Sequence, residues 1–170
     1  MSTLIQRPLI NIAPETQITK IEFLTDLHCH FDHYERWMWF WKTKIFRLTD
    51  DFAFSVNDYL ITRHIGTLTD FASIPPPLKK IYRPDDKRWI RQAVGHDAMY
   101  ECEIFPKDFA DLFLEKSIEA ESGDDFDADV FHAAVELFGD KVYAKHTDKS
   151  IINGRNLLII YNINGDLIYP

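Results

Sequence analysis

The sequence predicts an α+β fold, in which an antiparallel sheet from the N-terminal half and a C-terminal hairpin carries a three-helix insertion. Between 21 and 65, short runs rich in aromatic and β-branched residues alternate with polar turn residues, which is typical of a β-meander. From about 85 to 139, apolar residues recur at helical spacing. The tail then returns to a strand-like texture around Asn164 and Gly165, a dipeptide that favours a hairpin turn.

The N-terminal half is expected to hold strands at 37–41, 45–48, 52–56 and 59–62. The first of these, Trp37-Met38-Trp39-Phe40-Trp41, would be aromatic on both faces and favours a buried central strand. A platform for stacking sugars and a subunit interface are the alternatives. Residues 1–20 are expected to form an extended arm that packs on a partner or on its own domain, and 21–170 to form one α+β domain.

Each helix of the insertion has its own boundary signals. Asp85 or Asp86 is expected to cap the first helix, and Pro106 fits the first turn of the second. The segment that begins at Gly123 separates the second helix from the third. Gly139 is expected to end the third helix, because glycine is favoured just beyond a helix.

Composition narrows the function classes. The 170 residues carry a net charge of −8, which disfavours non-specific binding to nucleic acid. No apolar run is long enough to span a bilayer, and the first residues lack the pattern of a secretory signal, so we expect a cytoplasmic protein without a membrane partner. The two cysteines, Cys29 and Cys102, form neither a disulfide framework nor a CxxC pair.

A group of acidic residues and one histidine stands out from these structural segments. His96 and Asp97 are adjacent on the first predicted helix, and Asp111 lies in a stripe of carboxylates on the second, together with Asp108 and Glu115. If these two helices pack antiparallel, Asp111 faces the His96–Asp97 pair. Asp70, in a turn before a proline run, would be a fourth member. Carboxylates gathered this closely need a cation, a proton or a basic partner.

This cluster predicts a metal or acid–base site. Imidazole and carboxylate suit zinc or manganese, so we expect one divalent ion held by His96, Asp97 and Asp111. A bound water would then supply hydroxide for hydrolysis. The expected catalytic residues are Asp70, His96, Asp97 and Tyr100, with Asp70 as ligand or general base and Tyr100 orienting or polarising the substrate.

A purely structural interpretation stays open beside it. Asp70 would then accept backbone N–H groups in its turn, and His96 would be a core histidine with satisfied hydrogen bonds. Asp97 would pair with a base, the candidates being Arg88, Arg91 and Lys107.

Two further histidine motifs are weaker. His28, His30 and Asp32 would share one face of an extended strand and offer metal ligands, but an exposed histidine-rich loop is the favoured interpretation. His64 lies before the turn at Gly66, from where it could approach Asp70.

Three motifs in order resemble a family found in phages and prophages, domain of unknown function 1353. They are Gly-x-x-Thr-Asp-x-Ala-Ser-x-Pro at 66–75, His-Asp-x-x-Tyr at 96–100 and Lys-x-x-Ala-Asp at 107–111, within a similar stretch that spans 59–139. The resemblance implies a phage-encoded protein and carries no established activity.

Two functions follow as hypotheses. The first is a small metal-dependent hydrolase that acts on cell-wall or small-molecule substrates in the host cytoplasm. The second is a virion or tail component, or a host-interaction protein, whose cluster is structural. In that case other phage proteins or a second copy would bind through the aromatic strand and the N-terminal arm.

Overall fold

Antiparallel strands from both ends of the chain flank a helical middle segment, which confirms the α+β class. The structure is a computed structural model that describes residues 5–37, 41–71, 83, 86–123 and 125–170. The strands are β1 (Ile21–Phe23), β2 (Cys29–Trp37), β3 (Trp41–Leu48), β4 (Phe52–Val56), β5 (Tyr59–Arg63), β6 (Leu68–Thr69), β7 (Leu158–Asn162) and β8 (Leu167–Tyr169). The helices are α1 (Ile90–Glu101), α2 (Lys107–Ser122), α3 (Asp125–Tyr143) and α4 (Asp148–Arg155).

The larger sheet joins the N-terminal half to the C-terminal hairpin. Its strand order is β1-β4-β5-β7-β8, and Ile61 of β5 lies opposite Ile160 of β7. In β4, buried side chains alternate with partly buried ones, as expected for a strand with one face on the core. Gly165 has a φ of 84° in the turn before β8, which supports the hairpin predicted there.

A second sheet of order β2-β3-β6 lies apart from the first, so β3 and β4 belong to different sheets and not to one continuous meander. The prediction of a buried strand at 37–41 is wrong. Trp37 of β2 pairs with Trp41 of β3 in an antiparallel ladder, so the two residues belong to different strands, and residues 38–40 lie outside the described part. A run that is apolar at every position has no polar–apolar alternation by which to tell a strand from a turn.

The prediction that Asp86 caps the first helix is wrong. The helix begins at Ile90 after Trp89, which makes no capping hydrogen bond, and Asp86 instead accepts the backbone N–H of Arg88 in the preceding turn. Asp85 lies outside the described residues. At α2, Pro106 is the residue before the helix, and Gly123, with a φ of 64°, ends the helix as predicted.

Gly139 does not end the third helix, because α3 continues to Tyr143. A side chain at this position would place its Cβ 2.9 Å from Oη of Tyr100 and 3.1 Å from Cε of Lys107. The glycine therefore permits the close approach of α1 and α2 to α3. The short helix α4 was not predicted, although Thr147 and Ser150 form a capping box at its start.

Two apolar clusters hold the helices in place. The larger one lies between α1, α2 and the five-stranded sheet, and includes Phe54, Ile61, Val94, Met99 and Phe113. The smaller one joins α1, α2 and α3 and includes Trp89, Ala93, Leu114, Ile118 and Phe131. Together they fix which side chains of α1 face α2.

The described part of the N-terminal arm packs on its own domain. The backbone N–H groups of Leu9 and Ile10 donate to the carbonyls of Glu103 and Ile104, after α1. The buried guanidinium of Arg155 donates to the carbonyl of Gln6 at 3.0 Å. Among the described residues, no helix combines the length and the apolar character that crossing a membrane requires.

Candidate functional site

A buried ion pair between α1 and α2 forms the centre of the site. His96 is 8% exposed and Asp111 is 4% exposed, and Nε2 of His96 lies 3.1 Å from Oδ1 of Asp111. A carboxylate partner assigns the N–H to Nε2, since a carboxylate can only accept. The contact places Asp111 opposite His96, as the antiparallel packing of the two predicted helices requires.

A lysine completes the partners of Asp111. Nζ of Lys107, one turn earlier on α2, lies 2.6 Å from Oδ2 of Asp111 and 3.2 Å from Oδ1 of Asp140 on α3. Both oxygens of Asp111 are therefore engaged by protein donors. The lysine supplies the basic partner that a buried carboxylate needs, and it connects the site to the exposed side chain of Asp140.

Asp97 lies on the other side of the imidazole. Oδ1 of Asp97 is 3.9 Å from Nδ1 of His96, and Oδ2 accepts a hydrogen bond of 3.2 Å from the hydroxyl of Thr69. Burial raises the pKa of Asp97 to about 7, and the negative charges of Glu101 and Asp70 act in the same direction, against the opposing influence of His96. Asp97 therefore exchanges its proton near neutral pH.

The imidazole and Asp111 are shifted towards their charged forms. Burial opposes the charge on His96, but the hydrogen bond to Asp111 and the nearby carboxyl of Asp97 outweigh burial and raise the pKa of His96 above 6.5. Burial likewise disfavours the Asp111 carboxylate, but the contacts with His96 and Lys107 prevail and lower its pKa. The two carboxyl groups beside one imidazole thus have opposite pKa shifts.

Asp70 follows the short strand β6, whose pairing with β3 brings it to the start of the site. The next residue, Phe71, has a φ of 63°, which is strained for a bulky side chain. Its backbone N–H donates to the Thr69 hydroxyl at 2.9 Å, and its ring packs 4.4 Å from that of Phe46. These contacts fix the backbone on both sides of Asp70. Residues 72–75 of the same motif lie outside the described part.

Tyr100 lies one turn after His96, and the two ring centroids are 5.0 Å apart. Its hydroxyl donates to the backbone carbonyl of Gly139 on α3. Burial, followed by the charge of Asp111, raises the pKa of Tyr100. This arrangement suits a neutral tyrosine that holds the imidazole in position.

The structure brings His96, Asp97 and Asp111 together between α1 and α2, and it places Asp70 close enough for its charge to act on Asp97. Sequence reasoning missed Thr69 and Asp140, and it offered Lys107 as a partner of Asp97 when the lysine contacts Asp111. The four-residue spacing of Lys107 and Asp111 was the available signal. The other bases named for Asp97 contact different acids: Arg91 contacts Glu121, and Arg88 contacts Asp86 and Asp127.

The donor set does not fit the expected divalent ion in its present arrangement. Nε2 of His96 and both oxygens of Asp111 point at protein partners, and the ammonium of Lys107 already balances the carboxylate. Across the described residues, no group of three or more His, Cys, Asp or Glu side chains is placed to hold a metal ion.

Most of the histidine-rich run is a strand and not a loop, because β2 begins at Cys29, whereas His28, His30 and His33 are exposed as expected. A bulge at Phe31 and His33 breaks the alternation that would align His28, His30 and Asp32. Asp32 binds Arg47 and His33 at 2.7 Å each, and the hydrogen bond from Arg47, followed by that from His33, lowers its pKa to about 2. His64 lies 3.4 Å from Asp51.

Comparison with known proteins places this arrangement in a family. No curated protein and no solved structure matches the chain. Residues 46–135, more than half of the chain, match the family described as "Protein of unknown function (DUF1353)". The matched segment contains Thr69, Asp70, His96, Asp97 and Asp111. By this match, the chain belongs to the DUF1353 family.

Proposed function

We propose that this protein is a small phage-encoded hydrolase whose acid–base site consists of His96, Asp97 and Asp111. One observation supports this most strongly: a buried imidazole lies between two carboxylates that have different partners. Asp111 contacts a lysine, whereas Asp97 contacts a neutral hydroxyl. Groups of one site whose environments separate their pKa values are typical of acid and base roles.

The roles follow from these environments. Asp97, as a carboxylate, takes a proton from water while the water oxygen attacks the carbon of the scissile bond. His96, charged and oriented by Asp111, gives its proton to the leaving atom as that bond breaks. The proton on Asp97 then passes to His96 and restores both groups. Asp70 raises the pKa of Asp97, and Tyr100 is a positioning residue for the imidazole.

Amide or glycosidic bonds of the host cell wall are the proposed substrates, with small molecules as the alternative. The acidic chain disfavours long nucleic acids. In this proposal the enzyme works without a metal, since Lys107 provides the positive charge beside Asp111. Metal analysis of the purified chain tests this part: a stoichiometric ion lost on His96→Ala and Asp111→Ala would support the metal-dependent alternative.

The direct test is hydrolysis of purified peptidoglycan by the full chain, followed by release of reducing ends and of free amino groups. We expect Asp97→Asn and His96→Gln to reduce the rate by about 100-fold or more. Glu121→Gln, which alters a surface ion pair between α1 and α2, is the control and should keep the activity. In the wild type, kcat/KM should rise with pH through about 7 as Asp97 loses its proton.

Circular dichroism melts of all variants separate loss of chemistry from loss of fold. Folded wild type that releases neither product would contradict cell-wall hydrolysis. Folded Asp97→Asn with full activity would contradict the role of Asp97.

A second candidate is a virion component or host-interaction protein in which the cluster only joins the helices. The complete pairing of Asp111 favours it, because such pairing also suits a structural network. Under this alternative, His96→Gln and Asp111→Asn unfold the domain, and the chain copurifies with phage particles.

A further inference from the structure

A second layer of polar residues lies one helical turn from the His96–Asp111 pair. Gln92 precedes His96 by four residues on α1, and Glu115 follows Asp111 by four residues on α2. The two helices run antiparallel, since Gly95 approaches Phe113 while Arg91 contacts Glu121. Gln92 and Glu115 are therefore at the same level of this interface.

α3 contributes a third residue to this layer. Nδ1 of His132 lies 2.8 Å from Oε2 of Glu115, although the ring is not aligned for a hydrogen bond. The side chain of His132 is 37% exposed and that of Glu115 is 19% exposed, so the layer reaches solvent at this end. Gln92 is 1% exposed and lies at the inner end.

Gln92 is anomalous in its hydrogen bonding. Neither Nε2 nor Oε1 of its buried amide has a hydrogen-bond partner among the described residues. Leaving a buried polar group unpaired costs about 1–3 kcal/mol, and native proteins pair nearly all such groups. The amide has both a donor and an acceptor, so its natural complement is a group that also has both.

The three helices that carry this layer also share an apolar cluster. Ala93, Leu114 and Phe131 each adjoin one of the three polar residues in sequence, and all three belong to the cluster that joins α1, α2 and α3. Few polar groups within an apolar wall are typical of sites that bind small organic ligands.

We propose that Gln92, with Glu115 and His132, forms a subsite for an amide group of the ligand, such as an acetamido or peptide amide. The Gln92 amide and a ligand amide would exchange two hydrogen bonds. As a substrate subsite, this inference rests on the proposed hydrolase. The binding of an amide can be tested without any turnover.

Side-chain amide resonances of the full chain test the proposal by nuclear magnetic resonance. The Gln92 signals are assigned by their loss in Gln92→Leu. Two amide probes, N-acetylglucosamine and N-acetylalanine methylamide, are titrated, with glucose as the control that lacks an amide. We expect at least one probe, and not glucose, to shift the Gln92 signals. If neither probe shifts them, or if glucose shifts them equally, the proposal is overturned.

Stability supplies a second readout. Gln92→Leu removes an unpaired polar group, so its melting temperature should equal or exceed that of the wild type. Ser117→Ala is the matched control, because the buried Ser117 hydroxyl donates to the carbonyl of Leu114 and its loss should lower the melting temperature. A clear fall in Gln92→Leu would mean that the amide already has a structural partner, which overturns the proposal.

The two proposals fail in distinguishable ways. Probes that shift Gln92 in a wild type without turnover would overturn the hydrolase and keep the amide subsite. Turnover that depends on His96 but is unchanged in Gln92→Leu, with no probe shifts, would overturn the subsite and keep the hydrolase.

Discussion

Asp97 binds its proton more tightly in the folded chain than in the unfolded one. Its pKa rises from 3.8 to about 7, so the stability it contributes is complete below pH 3.8 and is lost as pH rises towards 7. His96, whose pKa also rises, loses its contribution at higher pH. The pH dependence of the Asp111 contribution has the opposite sign. Because the pKa of Asp111 is lowered, its contribution to stability is lost only as the solution becomes more acidic.

We therefore expect the free energy of unfolding to fall between about pH 5 and pH 8, by at least about 1 kcal/mol. Urea denaturation at a series of pH values measures it. The Asp97→Asn variant is the control and should show a shallower slope. A wild-type stability that rises over this interval would contradict the assignment.

Asp111 is the carboxylate whose charge the buried site needs. Asp111→Asn leaves the buried His96 and Lys107 without their shared anion, and we expect a loss of about 3 kcal/mol in urea denaturation. Asp140→Asn removes the other acidic partner of Lys107. Because the Asp140 side chain is largely exposed, this substitution should cost less than about 1 kcal/mol. Equal losses in the two variants would show that the burial of Asp111 does not matter.

At the scale of elements, the contact of α1 with α2 depends on Gly95, the neighbour of His96. A Cβ on Gly95 would lie 2.9 Å from Cε1 and 3.0 Å from Cζ of Phe113. Gly95→Ala should therefore cost about 1–3 kcal/mol by overpacking, even though alanine is the better helix former.

A double-mutant cycle isolates this contact. Phe113→Leu removes the ring atoms that the new Cβ would meet, so Gly95→Ala should cost less in that background. The same loss in both backgrounds would mean that the strain arises elsewhere.

At the scale of the molecule, the pairing of β7 with β5 joins the C-terminal part of the chain to its N-terminal half. It lies between β5 and β8, and it buries Leu158 and Ile160 in the core. Removal of 158–170 should abolish cooperative thermal unfolding, because β5 loses its partner strand and the core loses the buried side chains of Leu158 and Ile160. Removal of 163–170, which takes only β8 at the edge, should lower the melting temperature and keep the transition cooperative. Cooperative melting of the longer truncation would contradict this role.

The sequence predicts the elements better than it predicts their partners. The aromatic and β-branched texture of β4 and the break at Gly123 are local signals, and the structure confirms the strand and the end of the helix. The prediction that Gly139 ends a helix is wrong, because the approach of Tyr100 that requires a glycine here involves another helix. The separation into two sheets depends on long-range pairing, which strand texture does not encode.

The same distinction applies to the site. Helical spacing placed His96, Asp97 and Asp111 on faces that meet. Spacing alone does not show which lysine or hydroxyl completes them, so Thr69 and Asp140 became visible only in the folded chain. Nothing in the sequence marks Gln92, because residues from other elements decide whether a buried amide is hydrogen-bonded.

The central claim is that His96 and Asp97 form an acid–base pair whose pKa values are raised in the folded chain. Titration of both residues, followed by carbon and nitrogen resonances, tests this claim most directly. We expect the Asp97 carboxyl to titrate near pH 7 and the pKa of His96 to lie above 6.5. The Asp111→Asn substitution should lower the pKa of His96. An Asp97 carboxyl that titrates near 3.8, with His96 below 6.5, would contradict it.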